Sequence, residues 1–266
     1  MLKTQTFFDL SDFNHADLFR VDDYCWQPLN DLKKYMDTFE YPKYCAFFNN
    51  TGKPLSKHLV LVDNKIVPDN DIDIIYGDTT KGKLLVKKNN EEISGASVIM
   101  AGSVLVGDKI ALGRGVLIEP GAMIKSPAII DDMSEVRQGA YLRGYCLCGK
   151  RCVLGHTTEI KHTIFLDDAK AGHFAYLGDS ILGNNVNLGA GSKFANLKFL
   201  PGNVAILANG KKIDTRRRKF GAVLGDNCQT GCNSVTSPGT LMAKGAILLP
   251  NTTAKGGFYP EKAIIR

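Results

Sequence analysis

The sequence has no long apolar segment and little excess charge. No apolar run approaches the roughly 18 residues needed to span a bilayer, and the first residues, MLKTQTFFDLSDFNHAD, carry acids where a signal peptide would be apolar. We therefore expect a cytoplasmic protein with no membrane partner. The net charge is +6 and is spread along the chain, whereas nucleic-acid binders concentrate positive charge in a stripe. Anionic small molecules are the expected ligands.

Cysteines are few and lack a metal-binding pattern. No pair of CxxC motifs occurs, so the sequence predicts no metal site. A chain of 266 residues is too large to need disulfides, and the cysteines form an odd set. We expect free thiols at all seven positions, which are Cys25, Cys45, Cys146, Cys148, Cys152, Cys228 and Cys232.

Residues 1–90 have mixed composition and are predicted to form a small α+β cap region. Apolar residues spaced for an amphipathic helix occur at Leu18, Trp26, Leu29, Leu32 and Met36. The segment KHLVLVDNKIVPD predicts two short strands around an Asp-Asn turn. Trp26 is the only tryptophan, and we expect it to anchor packing. This region is a candidate cap for one end of the fold that follows, or a recruitment site for another enzyme.

From about residue 91 the sequence repeats with a period of six. No polar residue interrupts the steps Met100, Val106, Leu112, Ile118, Ile124, Ile130, Val136, Leu142, Cys148, Leu154 and Ile160. Neither a helix nor a simple strand has this period, but a hexapeptide solenoid does. Each unit would form one side of a triangular coil and point its aliphatic residue inward. We therefore predict a mainly β fold, a parallel β-helix over residues 91–266.

The repeat is less regular beyond Ile160. The inward residues are then expected at Phe165, Ala171, Leu177, Leu182 and Leu188, and the period fails between Asn196 and Phe220. The segment LKFLPGNVAILANGKKIDTRRRK predicts an inserted basic loop, assigned to residues 197–220. Insertions in solenoids usually line one binding face. The repeat then resumes, with polar Thr230 and Thr236 in phase.

Three cations are spaced by eighteen residues, which is one full coil. Lys125, Arg143 and Lys161 each follow an inward residue, so they should project from the same corner of successive coils. Like charges on neighbouring strands are unfavourable unless something neutralises them. A bound phosphate would do so. The alternative is that the side chains extend into solvent with Glu159 or Glu135 as counter-charge.

The segment GHFAYLGDSILGNNVNLGAG closely resembles the acetyltransferase domain of the bifunctional glucosamine-1-phosphate acetyltransferase and N-acetylglucosamine-1-phosphate uridylyltransferase family. The resemblance extends through YLRGYCLCGKRCVLGHTTEIK and RKFGAVLGDNCQTGCNSVTSPGTL, about half of the chain. It implies a left-handed β-helix, acetyl-CoA as acyl donor, an anionic amino-sugar acceptor and a homotrimer. The first 90 residues are too few for a uridylyltransferase domain, so that activity is not expected.

The resemblance also implies roles for particular residues. His173 would be the general base that takes a proton from the sugar amine. Matches to sugar-phosphate-binding positions fall at Arg143, Lys161, Tyr176, Asn187 and Lys219. Matches to coenzyme-contacting positions fall at Ala190, Asn196, Leu197, Cys232, Pro250 and Arg266. Cys232 and Pro250 replace small residues of the family, and Asn-Leu stands after Ala195 where the family has Asn-Tyr.

Two other functions remain open on the sequence. One is a non-catalytic trimeric scaffold or sugar-nucleotide-binding protein that has lost acyl transfer. The other is a hexapeptide metalloenzyme, which needs three converging histidines, for which His156, His162 and His173 are candidates. The leading prediction is a CoA-dependent N-acyltransferase acting on an amino-sugar phosphate such as glucosamine-1-phosphate, or on a nucleotide-linked amino sugar.

Overall fold

The fold is a parallel β-solenoid of about nine turns, seen in a computed structural model that describes residues 2–44, 52–68, 71–208 and 210–266. It confirms the predicted mainly β hexapeptide fold and is consistent with the left-handed form. Each coil contributes one strand to each of three sheets, which we name I, II and III in chain order. We call the turns between them the I–II, II–III and III–I corners.

The strands are short and stack in parallel. Those of sheet I are Ser97–Ile99, Leu117–Ile118, Glu135–Val136, Val153–His156, Lys170–His173, Asn187–Leu188, Gln229–Thr230, Ile247–Leu248 and Ile264–Ile265. Those of sheet II are Val104–Val106, Met123–Lys125, Tyr141–Arg143, Glu159–Lys161, Tyr176–Gly178, Lys193–Phe194, Val235–Thr236 and Thr253–Ala254. Those of sheet III are Ile110–Leu112, Ala128–Ile130, Cys146–Cys148, Thr163–Phe165, Ile181–Leu182, Ala222–Leu224, Thr240–Met242 and Gly257–Tyr259.

One column of apolar side chains fills the solenoid, as the period of six predicts. From Leu112 to Ile160 every predicted inward residue is buried in this core. The predicted inward residues of the irregular stretch, from Phe165 to Leu188, are buried there too. The irregularity has a simple basis in coil length: Leu142 pairs with Ile160, eighteen positions on, but Ile160 pairs with Leu177, seventeen positions on.

The assignment of Met100 and Val106 to the inward column is wrong. Ile99 and Leu105 point inward instead, because Ile99 pairs with Ile118 and Leu105 with Ile124. The first coil is therefore one residue longer between sheets II and III than a strict repeat allows. Side chains alternate between the two faces of a strand, so a slip of one residue reverses which of them is buried.

The segment predicted as a basic loop forms an antiparallel hairpin. Its strands are Val204–Ala208 and Lys211–Arg217. A bridge between Leu197 and Lys219 closes its base. The buried side chains of Val204 and Ile206 pack the hairpin against the outside of sheet III. The basic residues are thus carried on a paired strand, because the apolar face of the hairpin has a surface to bury.

The N-terminal segment lies along the side of the solenoid. It contains helix α1, Thr4–Phe7, a 3₁₀ turn at Ala16–Leu18 and helix α2, Gln27–Thr38. Its buried side chains form one cluster with the outward-facing apolar residues of sheet III, which include Ala111, Ile129, Leu147, Ile164, Ile181, Val223 and Leu241. Burial of this stripe is the main driving force for docking the segment.

A second part of the N-terminal region covers the first coil. The predicted hairpin forms from Leu59–Val62 and Lys65–Val67, with Asp63 and Asn64 both at positive φ as a tight hairpin turn requires. Leu59–Val62 then pairs antiparallel with the first strand of sheet I and caps its edge. A small sheet of Ile72–Ile75, Leu85–Lys88 and Glu91–Glu92 follows, with a 3₁₀ turn at Thr79–Lys81 between its first two strands.

Free thiols are confirmed at the six cysteines that the structure describes, of which only Cys232 is exposed. Cys45 lies outside the described residues. Burial raises the pKa of the Cys146 thiol to about 12 and does the same for Cys228. Neither helix α1 nor α2, nor any other helix in the described ranges, has the length and apolar character to cross a membrane.

Candidate functional site

A cationic cleft of about 570 Å³ lies between helix α2 and the II–III corner of the solenoid. Three predicted sugar-phosphate ligands, Arg143, Lys161 and Lys219, line it together. Arg143 and Lys161 lie there because Leu142 pairs with Ile160, which stacks the two strand ends. Lys219 comes from the base of the inserted hairpin. The structure therefore brings together cations that are far apart in sequence.

The three cations spaced by one coil, Lys125, Arg143 and Lys161, have different contacts in the structure. Lys125 pairs in register with Arg143, but its ammonium lies over the ring of Tyr141 and it is not a lining residue of the cleft. The Arg143 guanidinium donates to Glu159 Oε1 at 2.6 Å, so Glu159 supplies a counter-charge for this residue. Burial lowers the pKa of Lys161, and the neighbouring charges of Lys219 and Arg143 lower it further, outweighing the opposing charge of Asp179. Lys161 thus carries an electrostatic cost that a bound anion would relieve.

Buried Asp179 organises the inner wall of the cleft. Its carboxylate accepts hydrogen bonds from Arg217 Nη2 at 2.9 Å and Asn196 Nδ2 at 2.7 Å, and lies 3.3 Å from His162 Nδ1. Burial alone would raise the pKa of this carboxyl, but His162, Asn196 and Arg217 outweigh that effect and the pKa is lowered. Arg217 Nε also donates to the backbone oxygen of Lys219. The ionised carboxylate therefore fixes the position of Lys219 through Arg217.

His173 lies at a different corner, aligned with predicted coenzyme positions. It ends a strand of sheet I, and its side chain is exposed at the I–II corner. Backbone hydrogen bonds stack His173, Ala190, Cys232 and Pro250 in successive coils: Gly191 N donates to His173 O, Asn233 N to Ala190 O and Asn251 N to Cys232 O. With about 4.8 Å between strands, this column runs roughly 15 Å from the histidine.

The remaining predicted residues surround these two places. Tyr176 begins the sheet II strand between the corners, and burial raises the pKa of its hydroxyl. Asn196 uses its amide within the protein, donating to Asp179 and accepting from Tyr176 at 3.5 Å. Asn187 is exposed on sheet I beside Lys170. Leu197 is exposed at the hairpin base, and Arg266 is exposed after the last strand, near the end of the His173 column.

Among the charged residues that line the cleft, three were not predicted as site residues from the sequence, namely Lys33, Asp179 and Arg217. Arg217 belonged to a segment recognised as basic, but its pairing with Asp179 depends on the hairpin. Lys33 belongs to helix α2, and no local sequence pattern predicts that this helix contacts the II–III corner. In the structure the Lys33 ammonium lies over the Tyr145 ring. These two residues are far apart in the sequence, so this contact could be predicted only from information on long-range contacts.

The candidate metal histidines do not converge within this chain. His156 and His173 are neighbours across two strands of sheet I, but His162 is buried at the II–III corner against Asp179. Within the described ranges, no group of three or more His, Cys, Asp or Glu side chains is arranged to hold a metal ion.

No protein-family model matches the chain. It is 35% identical over 111 residues to the bifunctional sugar-1-phosphate nucleotidylyltransferase/acetyltransferase of Sulfurisphaera tokodaii, covering 42% of this chain and 28% of the relative. The bifunctional protein GlmU of Methanococcus vannielii is 32% identical over 127 residues, covering 48% and 30%. The bifunctional protein GlmU of Methanocaldococcus jannaschii is 35% identical over 100 residues, covering 38% of this chain and 24% of the relative. The chain thus spans about a quarter to a third of the curated relatives it matches. Over the matched region it is homologous to bifunctional sugar-1-phosphate nucleotidylyltransferase/acetyltransferases, and its β-solenoid agrees with the fold that the hexapeptide period predicts.

Proposed function

We propose that this protein is a CoA-dependent N-acyltransferase, most simply an acetyltransferase, that acts on a phosphorylated amino sugar. The observation that carries the proposal is the alignment of His173 with Ala190, Cys232 and Pro250 along one corner. This corner and the cationic cleft are separated by one three-residue strand of sheet II, which is roughly 10 Å long. An amino-sugar phosphate has a comparable length.

The phosphate of the acceptor would bind Lys161, Lys219 and Arg143, with the sugar over the outer face of sheet II beside Tyr176. Its amine nitrogen attacks the thioester carbonyl of acetyl-CoA. His173 removes the proton from that nitrogen as the C–N bond forms. The C–S bond breaks, and the coenzyme leaves as a thiolate that takes up a proton to give free CoA. No covalent enzyme intermediate is required.

A homotrimer is part of the proposal. The chain's own N-terminal segment and inserted hairpin cover sheet III. The contacts between copies would therefore be made by sheets I and II. Exposed apolar side chains occur on that side at Phe174, next to His173, and at Ile247 and Ile264 in the last coils of sheet I. A neighbouring copy packed there would enclose the I–II corner and complete the groove for the coenzyme. Closed cyclic assembly suits such a surface.

The test is a thiol-release assay with acetyl-CoA against glucosamine-1-phosphate, glucosamine-6-phosphate and UDP-linked amino sugars. His173→Ala should lower turnover by about 10²- to 10⁴-fold, as expected for loss of a general base, with much smaller effects on acceptor binding. His156→Ala is the matched control, because His156 occupies the same corner one coil earlier. Near-normal turnover of that variant is expected.

Other outcomes would contradict the assignment. Equal turnover of the wild type and His173→Ala would refute the assignment of His173 as the general base. Acceptor binding without release of CoA thiol in the wild type would favour a non-catalytic sugar-binding trimer. Equal losses in His156→Ala and His173→Ala, restored by a divalent metal, would favour the metalloenzyme alternative.

A further inference from the structure

Helix α2 forms one side of the cationic cleft and contributes Lys33 to its lining. The helix is firmly held in place. Leu29 and Leu32 are almost fully buried against the solenoid, and the Tyr145 hydroxyl donates to the Asp37 carboxylate at 3.3 Å. Arg217 Nη1 donates to Asn30 Oδ1 at 3.0 Å. Lys33 therefore belongs to a fixed wall of the cleft, although its side chain is exposed.

The positive charge in the cleft is only partly compensated. Arg143 is paired with Glu159, and Arg217 with Asp179. Across residues 2–44, 52–68, 71–208 and 210–266, no carboxylate forms a salt bridge with Lys33, Lys161 or Lys219. A concave surface lined by charge of one sign concentrates counter-ions. These three ammonium groups are therefore the cleft cations without a salt-bridge partner.

The three available cations occupy two sides of the cleft. Lys161 and Lys219 lie together on the solenoid side, close enough that the charge of Lys219 lowers the pKa of Lys161. Lys33 lies on the helix side, over the ring of Tyr145 at 5.4 Å from its centroid. A single phosphoryl group seated on Lys161 and Lys219 leaves Lys33 unused. Two linked phosphoryl groups provide one anionic group for each side.

We propose that the cleft binds a diphosphate, with one phosphoryl group on Lys161 and Lys219 and the other on Lys33. The inference rests on the proposed function, because it concerns the same acceptor site, and it specifies the acceptor as a diphosphate-linked amino sugar, such as a nucleoside-diphosphate sugar. Lys33 is then a specificity-determining residue that distinguishes a diphosphate from a monophosphate. The N-terminal segment supplies part of the binding site in addition to covering sheet III.

The test is calorimetric titration of the full chain with inorganic phosphate, pyrophosphate and uridine diphosphate at physiological ionic strength. Lys33→Met should weaken binding of pyrophosphate and uridine diphosphate by about 10- to 100-fold, the usual value of a hydrogen bond to a charged group. Its affinity for phosphate should change by less than about two-fold. Lys34→Met is the matched control, because Lys34 is the next residue of the helix, equally charged, exposed and outside the cleft lining.

Lys161→Met should weaken binding of all three anions, because both ligand classes use the solenoid side. Equal losses in Lys33→Met and Lys34→Met would overturn the inference, since only a general charge effect would remain. It would also be overturned if Lys33→Met lost affinity for phosphate and pyrophosphate alike, or if the wild type bound none of the anions. Diphosphate binding that depends on Lys33 in a protein that releases no CoA thiol would leave this inference standing and refute the proposed function.

Discussion

At the scale of single residues, Asp179 is the side chain on which the cleft depends. It directly follows a sheet II strand, with a positive φ of 51°, and its carboxylate contacts the inserted hairpin. There it binds Arg217, His162 and Asn196 at once. Because Arg217 in turn holds the backbone of Lys219, one buried carboxylate connects the hairpin to the cations of the cleft.

Replacing this carboxylate should be costly. Asp179→Asn leaves the Arg217 guanidinium buried without a counter-charge, and removing one partner of a buried pair typically costs about 3–5 kcal/mol. Urea unfolding of the variant should show a loss in this range. Glu159→Gln is the control, because the Arg143–Glu159 pair is more exposed and should contribute at most about 1 kcal/mol. Equal effects of the two substitutions would contradict the role assigned to Asp179.

The contribution of Asp179 should also depend on pH. Its pKa is lowered in the folded protein, so its contribution to stability is complete above the unfolded value of about 3.9 and is lost as the pH falls through the folded value. The difference in unfolding free energy between the wild type and Asp179→Asn therefore measures this loss in the acid range. It should narrow below about pH 4. A difference that does not change with pH would show that the carboxylate acts without its charge.

At the scale of the coil, close stacking of neighbouring strands places His173. Strand Val153–His156 lies directly against Lys170–His173. A Cβ at Gly155 would collide with the backbone carbonyl of Gly172, whereas a Cβ at Gly172 would meet open space. Both glycines are adjacent to the histidine column, but only Gly155 is required by the distance between coils.

This difference gives a matched pair of variants. Gly155→Ala should destabilise the protein by about 1–3 kcal/mol, the usual cost of overpacking, because the backbone of the next coil must move away. Gly172→Ala should be neutral or slightly stabilising, since it removes freedom from the unfolded chain without a clash. Thermal unfolding of both variants measures the difference. A larger loss for Gly172→Ala would contradict this account of the stacking.

The repeat was predictable from the sequence because its signal is local. Each regular coil places an apolar side chain at the same position, so the sequence alone predicts that the residues in phase from Leu112 to Ile160 point inward. The first coil broke the rule because an extra residue before Ile110 shifts the register, and a period of six carries no information about such an insertion. Thr230 shows the opposite case: it is polar yet in phase, and it is buried, with its hydroxyl 2.8 Å from that of Ser192.

At the scale of the whole molecule, the N-terminal segment was the least predictable part. Helix α2 was visible in the spacing of Leu29, Leu32 and Met36, but its docking site was not, since its partners lie more than seventy residues away in the chain. Contacts such as Asn14 with Asp131, or Asp9 with Asp226, follow from geometry that only the folded solenoid creates. The contribution of Lys33 to the cleft escaped prediction for the same reason.

The fluorescence of Trp26 should report whether the N-terminal segment is docked on the solenoid. It is 1% exposed, stacks on Tyr24 and lies near Phe220 at the end of the inserted hairpin. Since the segment and sheet III share one apolar cluster, undocking the segment would expose both surfaces, so the two should unfold together. Urea transitions followed by tryptophan fluorescence and by far-ultraviolet circular dichroism should coincide.

The same argument predicts the behaviour of a destabilised helix. Leu32→Ala should lower both midpoints together, corresponding to a loss of about 2–5 kcal/mol, because Leu32 is fully buried in the shared cluster. Substitution of exposed Lys34 by Ala, two residues further along the same helix, should have a much smaller effect. A fluorescence transition well below the circular dichroism transition would show that the segment detaches while the coils remain folded. In that case Lys33 would leave the cleft before the solenoid unfolds, and diphosphate binding should fall along the fluorescence curve.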